Sequence, residues 1–342
     1  MTQSSSVAIV FEPPASGLWA SVAEGIFWAQ IPLPFRLNQV NVWLIDDEDG
    51  WALIDCGIDS PEVRAIWETL LANLPDGRPI SRIIATHGHT DHVGCAGYLA
   101  EKLKVPFEAT LVEWLKARIR YADAAQEPSS EEDRFLTMHG CEPAVTAQMR
   151  EEFKSIGQYL GPMPGRLRAL RPDEKLRIGN RSFEVLVHGG HADSHASFYC
   201  ADDRILVAGD QVLPRISPVI AVFEDLPEAD PLGDYLASLR DLAELPENAL
   251  VLPGHGVPFT ELGSRLTALK RHHEERLATL ETMIEIPMTA FAAAERLFER
   301  AFQSGHRRFA LGETLAHLHR LERDNRAMRR ISGGGTVRWG KC

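Results

Sequence analysis

The chain has 342 residues, 44% of them hydrophobic, and a formal net charge of -12. That supplies one large core and a smaller domain, and no run of about 18 apolar residues is present, so no membrane span is expected. The acidic balance also disfavours nucleic acid as a general partner.

Residues 1–6 carry no basic segment leading into an apolar core, so no secretory leader is read and a cytoplasmic location is expected. Five cysteines (56, 95, 141, 200, 342), odd in number and without a C-x-x-C pair, fit reduced thiols. Residues 7–60 read as short strands and turns: VNVWLID at 40–46 is strand-like, DDEDG at 46–50 is a hairpin loop, and LIDCG at 53–57 ends the next run. A helix is expected over 61–75, with Pro61 in its first turn behind a Ser60 cap. SRIIA at 81–85 is a short apolar run of buried-strand type.

THGHTDH at 86–92 follows, and it places three histidines and an aspartate within six positions: His87, His89, Asp91 and His92. Scattered histidines usually belong to surface or core. Four ligand-type side chains on one strand-to-loop turn are different: they cannot all reach one tetrahedral metal comfortably, but they can supply two adjacent metals. That points to hydrolysis by metal-bound hydroxide. A helix over 94–103 continues behind the motif, its N-terminus toward the metals.

The segment 107–165 reads as a helical insert. Helical periodicity covers 111–120, a polar stretch at 126–133 breaks it, and Ser130 with Asp133 caps a new helix. A further helix over 144–160 stops at GPMPG, residues 161–165. The insert reads as a flap over the active site, with Trp114, Phe135, Met138 and Met149 as an apolar underside. The alternative is a surface embellishment or dimer contact.

Three further strand ends follow. VLVHGGHADSH at 185–195 ends a strand in a Gly-rich turn with His191; ILVAGD at 205–210 ends in Asp210; ALVLPGHG at 249–256 ends in His255. Ligand sites of layered α/β proteins gather at the carboxyl ends of strands. After Asp210, Arg215 and Ser217 would project at the rim of the site. Arg215 could meet an anionic substrate group, or be a plain surface arginine.

A helix over 232–245 leads to the last of these strands. Beyond 260 the character changes. Helices are expected over 261–285, 289–300 and 311–326, then a hairpin at 331–339 around three glycines. Residues 301–342 hold nine Lys/Arg against three acids. Helix, helix and hairpin resemble a winged-helix module. Its basic balance would suit nucleic acid, but packing on the catalytic domain or another subunit is the favoured reading.

On these motifs the chain resembles the metallo-β-lactamase-fold hydrolases over about residues 20–260, in the glyoxalase II-like branch that includes lactamase-β-like protein 2 and carries a C-terminal appendage. The resemblance implies a four-layer αββα sandwich for 1–260, with the helical insert at 107–165, and a small helical, winged-helix-like domain for 261–342. It also implies two metals. His87, His89 and His191 would hold the first, Asp91, His92 and His255 the second, and Asp210 would bridge them opposite a shared hydroxide.

Nitrogen and carboxylate donors suit two zinc ions, with iron or manganese as runners-up. Redox di-iron relatives place Glu where His89 stands, and single-iron dioxygenases use part of the set, so hydrolysis is favoured. Asp91 would orient the nucleophile. Asp55 is either the residue that fixes a ligand histidine through its other ring nitrogen or a turn residue before Gly57. His195 would line the pocket or brace a ligand, and His188 reads as structural. The expected substrate is a small acyl compound: a thioester, ester or lactone. The alternatives are a nuclease or phosphodiesterase using the basic tail, and a binding protein with a vestigial site. A homodimer is a further expectation for the insert.

Overall fold

The computed structural model describes residues 11–35, 37–124, 130–303 and 305–342; the expected N-terminal run at 1–6 and the insert's tip at 125–129 lie outside them. β1 (Ala20–Ala23), β2 (Ile26–Pro32), β3 (Gln39–Asp47), β4 (Gly50–Ile54), β5 (Ile80–Ile84), β6 (Phe107–Thr110) and β7 (Arg168–Leu170) form a seven-stranded sheet in sequence order. β1 to β4 pair antiparallel, β4 to β7 parallel. Parallel neighbours need crossovers. α1 (Pro61–Ala72) supplies the first, α2 (Thr90–Val93) and α3 (Ala96–Leu103) the second, and α4 (Leu111–Asp123), α5 (Ser130–Met138) and α6 (Pro143–Gly157) the third. The Ser60 hydroxyl accepts from Val63 N and caps α1, with Pro61 in its first turn.

β8 (Lys175–Ile178), β9 (Arg181–His188), β10 (His195–Cys200), β11 (Ile205–Gly209) and β12 (Leu250–Pro253) form a second sheet, ordered β12-β11-β10-β9-β8, with α7 (Pro231–Leu242) crossing between the parallel pair β11 and β12. The chain ends in α8 (Leu262–Met283), α9 (Ala290–Leu297), α10 (Glu299–Gln303), α11 (Arg307–Arg323) and the hairpin β13 (Ala327–Ile331) with β14 (Val337–Lys341).

Strand alternation builds the layers. On β3 and β4, Trp43, Ile45, Ala52 and Ile54 face the second sheet and meet Phe183, Phe198 and Val207. Trp28 and Trp43 stack in that middle layer, ring centres 5.8 Å apart. The alternate residues Leu44, Trp51 and Leu53 face outward onto Trp67 of α1 and Leu99 of α3. Both faces of these strands are apolar because both are covered. Behind the second sheet, Leu206 and Val251 pack against Tyr235 of α7, Leu266 of α8 and Leu315 of α11. The result is helix, sheet, sheet, helix.

The C-terminal helices share one continuous core with the second sheet. The insert's apolar side chains are not a free underside. Phe135 and Met149 are buried in that same core, and Trp114 packs on the first sheet's helical side while its Nε1 donates to Pro164 O. Among the described residues, no helix is long and apolar enough to cross a membrane.

Candidate metal centre

Four strand ends deliver the site: β5 runs into 86–92, β9 into 189–194, β11 into Asp210 and β12 into 254–256. Three ring nitrogens meet first. His87 Nε2 and His89 Nδ1 are 3.0 Å apart, His89 Nδ1 and His191 Nε2 3.0 Å, and His191 Nε2 and His87 Nε2 3.3 Å. His191 Nδ1 lies 2.9 Å from Val219 O. A carbonyl only accepts, so Nδ1 carries the proton and Nε2 presents its lone pair to the centre. Burial holds all three rings below the usual imidazole range, and neutral imidazole is the ligand form.

Asp91, His92 and His255 form the second group. His255 Nε2 is 3.2 Å from Asp91 Oδ2 and 3.3 Å from Asp210 Oδ2, and His92 Nε2 is 3.4 Å from Asp210 Oδ1. Asp210 Oδ2 is also 3.5 Å from His191 Nε2, so this carboxylate faces both groups. Burial opposes charge on His92 and His255, but Asp210 and Asp91 outweigh it: His92 rises well above the usual imidazole range and His255 to about 10. Burial likewise opposes ionisation of Asp91 and Asp210, yet His92 and His255 hold both below the usual carboxylate range. This half of the site demands positive charge.

His92 Nε2, His255 Nε2 and Asp210 Oδ1 are buried with no hydrogen-bond partner. Each such atom costs about 1–3 kcal/mol. Three of them beside one another are what divalent cations would satisfy. The donor set therefore fits two cations, His87, His89 and His191 holding one, Asp91, His92 and His255 the other, with Asp210 facing both.

A surrounding set of side chains fixes these groups. Asp55 Oδ2 is 2.8 Å from His92 Nδ1 and accepts from Thr86 Oγ1, while its Oδ1 accepts from Thr86 N. His195 is fully buried beside His87, and its Nε2 accepts from Asp210 N at 3.1 Å. Its ring braces Asp210 through the backbone. Gly254 is required by close approach: a Cβ there would lie 2.1 Å from Asp210 Oδ1.

Two anchors carried no signal in the sequence. Asn41, fully buried on β3, donates from Nδ2 to Pro253 O and Gly256 O and from its backbone N to Gly254 O; the neighbouring Gln39 O takes His255 Nδ1–H at 2.6 Å. Glu113 on α4 accepts from Gly88 N, between two ligand histidines. Both act on backbone far away in sequence, which no local motif reveals.

The remaining candidates sit as follows. Arg215 is exposed on the loop after Asp210. Ser217 Oγ lies 3.1 Å from His273 Nε2 on α8, and Trp114 is engaged with Pro164. His188 Nε2 is 3.8 Å from Asp241.

Known proteins share this chain's family and fold. A family model described as "Metallo-beta-lactamase superfamily" matches residues 35–255, and one described as "Metallo-beta-lactamase-like, C-terminal domain" matches 277–342. A Bacillus subtilis protein named probable metallo-hydrolase YqjP is 27% identical over 309 residues, covering 87% of this chain and 92% of its own. A human protein named acyl-coenzyme A thioesterase MBLAC2 is 25% identical over 248 residues, covering 69% and 79%. The crystal structure of a beta-lactamase domain protein from Burkholderia ambifaria superposes with a TM-score of 0.87 at 34% identity, over 97% of this chain and 95% of that one. A metallo-beta-lactamase family protein from Thermus thermophilus gives 0.79 at 29% identity, over 94% and 100%.

Proposed function

Because the chain belongs to the metallo-β-lactamase superfamily and is a metallo-hydrolase, we propose that it cleaves acyl thioesters, of acyl-coenzyme A type, at a two-zinc centre. The observation that carries this reading is the convergence of five imidazoles and two carboxylates on one buried point, in a chain similar to a protein named as an acyl-coenzyme A thioesterase. Bound zinc supplies Lewis acidity and a water acidic enough to attack at neutral pH.

The chain's own residues do the rest. Asp91 Oδ2, 21% exposed as a side chain and 3.2 Å from His255, sits where it can orient the attacking water and hold its proton. His191 and His255 have their outer nitrogens tied to Val219 O and Gln39 O, so neither ring can turn during the reaction. Asp55 does the same for His92. Arg215, exposed on the loop that carries Val219, is suited to an anionic part of the substrate such as a phosphate.

The basic C-terminal stretch supports a packing role. Arg308 pairs with Glu132 and Glu224, Arg320 with Asp230, and Arg329 with Glu228, all on the insert or on 224–230. Cations so engaged favour packing over contact with phosphates.

The test is a panel of short- and long-chain acyl-coenzyme A esters with zinc-loaded enzyme, beside a structured RNA. Asp91→Ala is the control. Thiol release that drops at least a hundredfold in the variant is expected, in line with loss of an acid–base group, about 10²–10⁴-fold. RNA cleavage without thioester cleavage would replace the reading.

A further inference from the structure

α4 buries an unusual side. Its fully buried residues are Glu113 and Ala117, while Leu111, Val112, Leu115 and Ile119 face outward. Burying a carboxylate is unfavourable unless it is hydrogen-bonded, so a helix that turns one inward and leaves its leucines outside is held there by specific bonds. Glu113, 3% exposed, makes two: Oε2 accepts from Gly88 N and Oε1 from Ser194 N, each at 2.9 Å. Gly88 lies between His87 and His89, and Ser194 lies in the loop of His191, just before His195. One carboxylate thus ties together both loops that carry the three-histidine group.

Two turns along the same face, Arg120 Nη1 donates to Gly88 O at 2.7 Å. The N–H of Gly88 is held by Glu113 and its carbonyl by Arg120, which fixes the plane of the backbone between the two ligand histidines. The approach leaves no room for a side chain: a Cβ on Gly88 would lie 2.4 Å from Glu113 O. The His191 loop is held at two more points: Lys116 pairs with Asp193, and Thr110 Oγ1, at the helix N-terminus, donates to Ser194 O at 2.8 Å.

We propose that Glu113, supported by Arg120, is a positioning residue that sets the spacing of the three-histidine group before any metal arrives. It makes His87, His89 and His191 converge by gripping backbone on both sides of the cleft. The inference rests on the metal centre described above, but on no particular substrate.

Zinc binding by apo protein tests it directly. Chelator competition is run on wild type, Glu113→Ala and Glu113→Gln. The two binding steps are assigned with His191→Ala and His255→Ala, each of which removes one group. The three-histidine step should weaken about ten- to a hundredfold in Glu113→Ala, the range for outer partners of metal ligands. It should weaken less in Glu113→Gln, which keeps one carbonyl acceptor, and the other step should hold its wild-type constant. Two wild-type constants in Glu113→Ala overturn the proposal. So does equal weakening of both steps, and so does loss of cooperative unfolding in both apo variants, because each assigns Glu113 to general stability. Wild-type protein that binds two zincs and leaves every thioester intact would instead fail the substrate reading alone.

Discussion

Asp55 adopts a left-handed backbone, φ 58°, at the end of β4. That conformation costs a non-glycine residue about 1–2 kcal/mol, and it persists only where the surroundings fix it. Here the fixing contacts are the Thr86 backbone and hydroxyl and the His92 ring. Asp55→Ala should weaken the second metal step about ten- to a hundredfold, read by zinc titration, while leaving the first near wild type. Asp210→Ala removes the one carboxylate that faces both groups, so metal content should fall from two equivalents to one or less, measured by elemental analysis, with turnover lost. The seven ligand-type residues were legible because each sits in a short motif with a strand before it and most have a glycine beside them. Asn41 and Glu113 were not. They bond to backbone 212, 25 and 81 residues away, a relation that exists only once the chain is folded.

At the scale of elements, α8 and α11 bury a polar seam. Ser217 Oγ, His273 and His317 form a chain, His273 Nδ1 lying 3.2 Å from His317 Nε2, and His317 Nδ1 donates to Glu313 O. Burial lowers His273 to about 2 and His317 to about 3, and His272 beside them to about 4. These rings stay neutral in the fold but bind protons in the unfolded chain below about pH 6.5, so acid favours unfolding. Each ring contributes a loss of roughly 1.4 kcal/mol per pH unit once below that value. Glu313 works the other way: burial raises its carboxyl to about 7 against the pull of Arg276. Its contribution is full below about pH 4.5 and is lost as pH rises through 7, so it offsets part of the acid loss between those limits. Denaturation midpoints at pH 7.5, 6 and 5 should therefore fall less steeply in His317→Gln than in wild type. Equal slopes would contradict the assignment. Helix positions were readable from periodicity and caps, as with Ser60 and Pro61. The burial of α11 on almost every side was not, because its apolar neighbours come from the second sheet, the insert and the hairpin.

At the scale of the whole molecule, the core behind the second sheet runs on across residue 260. Leu206 and Val251 of the second sheet, Phe135 and Met149 of the insert and Leu315 and Trp339 of the C-terminal elements belong to one buried cluster. Cutting the chain after residue 260 should leave that sheet face bare, and the truncated protein should show no cooperative thermal transition; a folded, zinc-binding fragment would contradict this. Arginines of the basic C-terminal stretch meet acids of the insert and of 224–230. Two-zinc hydrolysis of thioesters is tested by zinc titration of apo enzyme, followed by thiol release from a long-chain acyl-coenzyme A. Release should rise with zinc, saturate at two equivalents and be absent from Asp210→Ala. No release at any loading, or release indifferent to zinc, would contradict it.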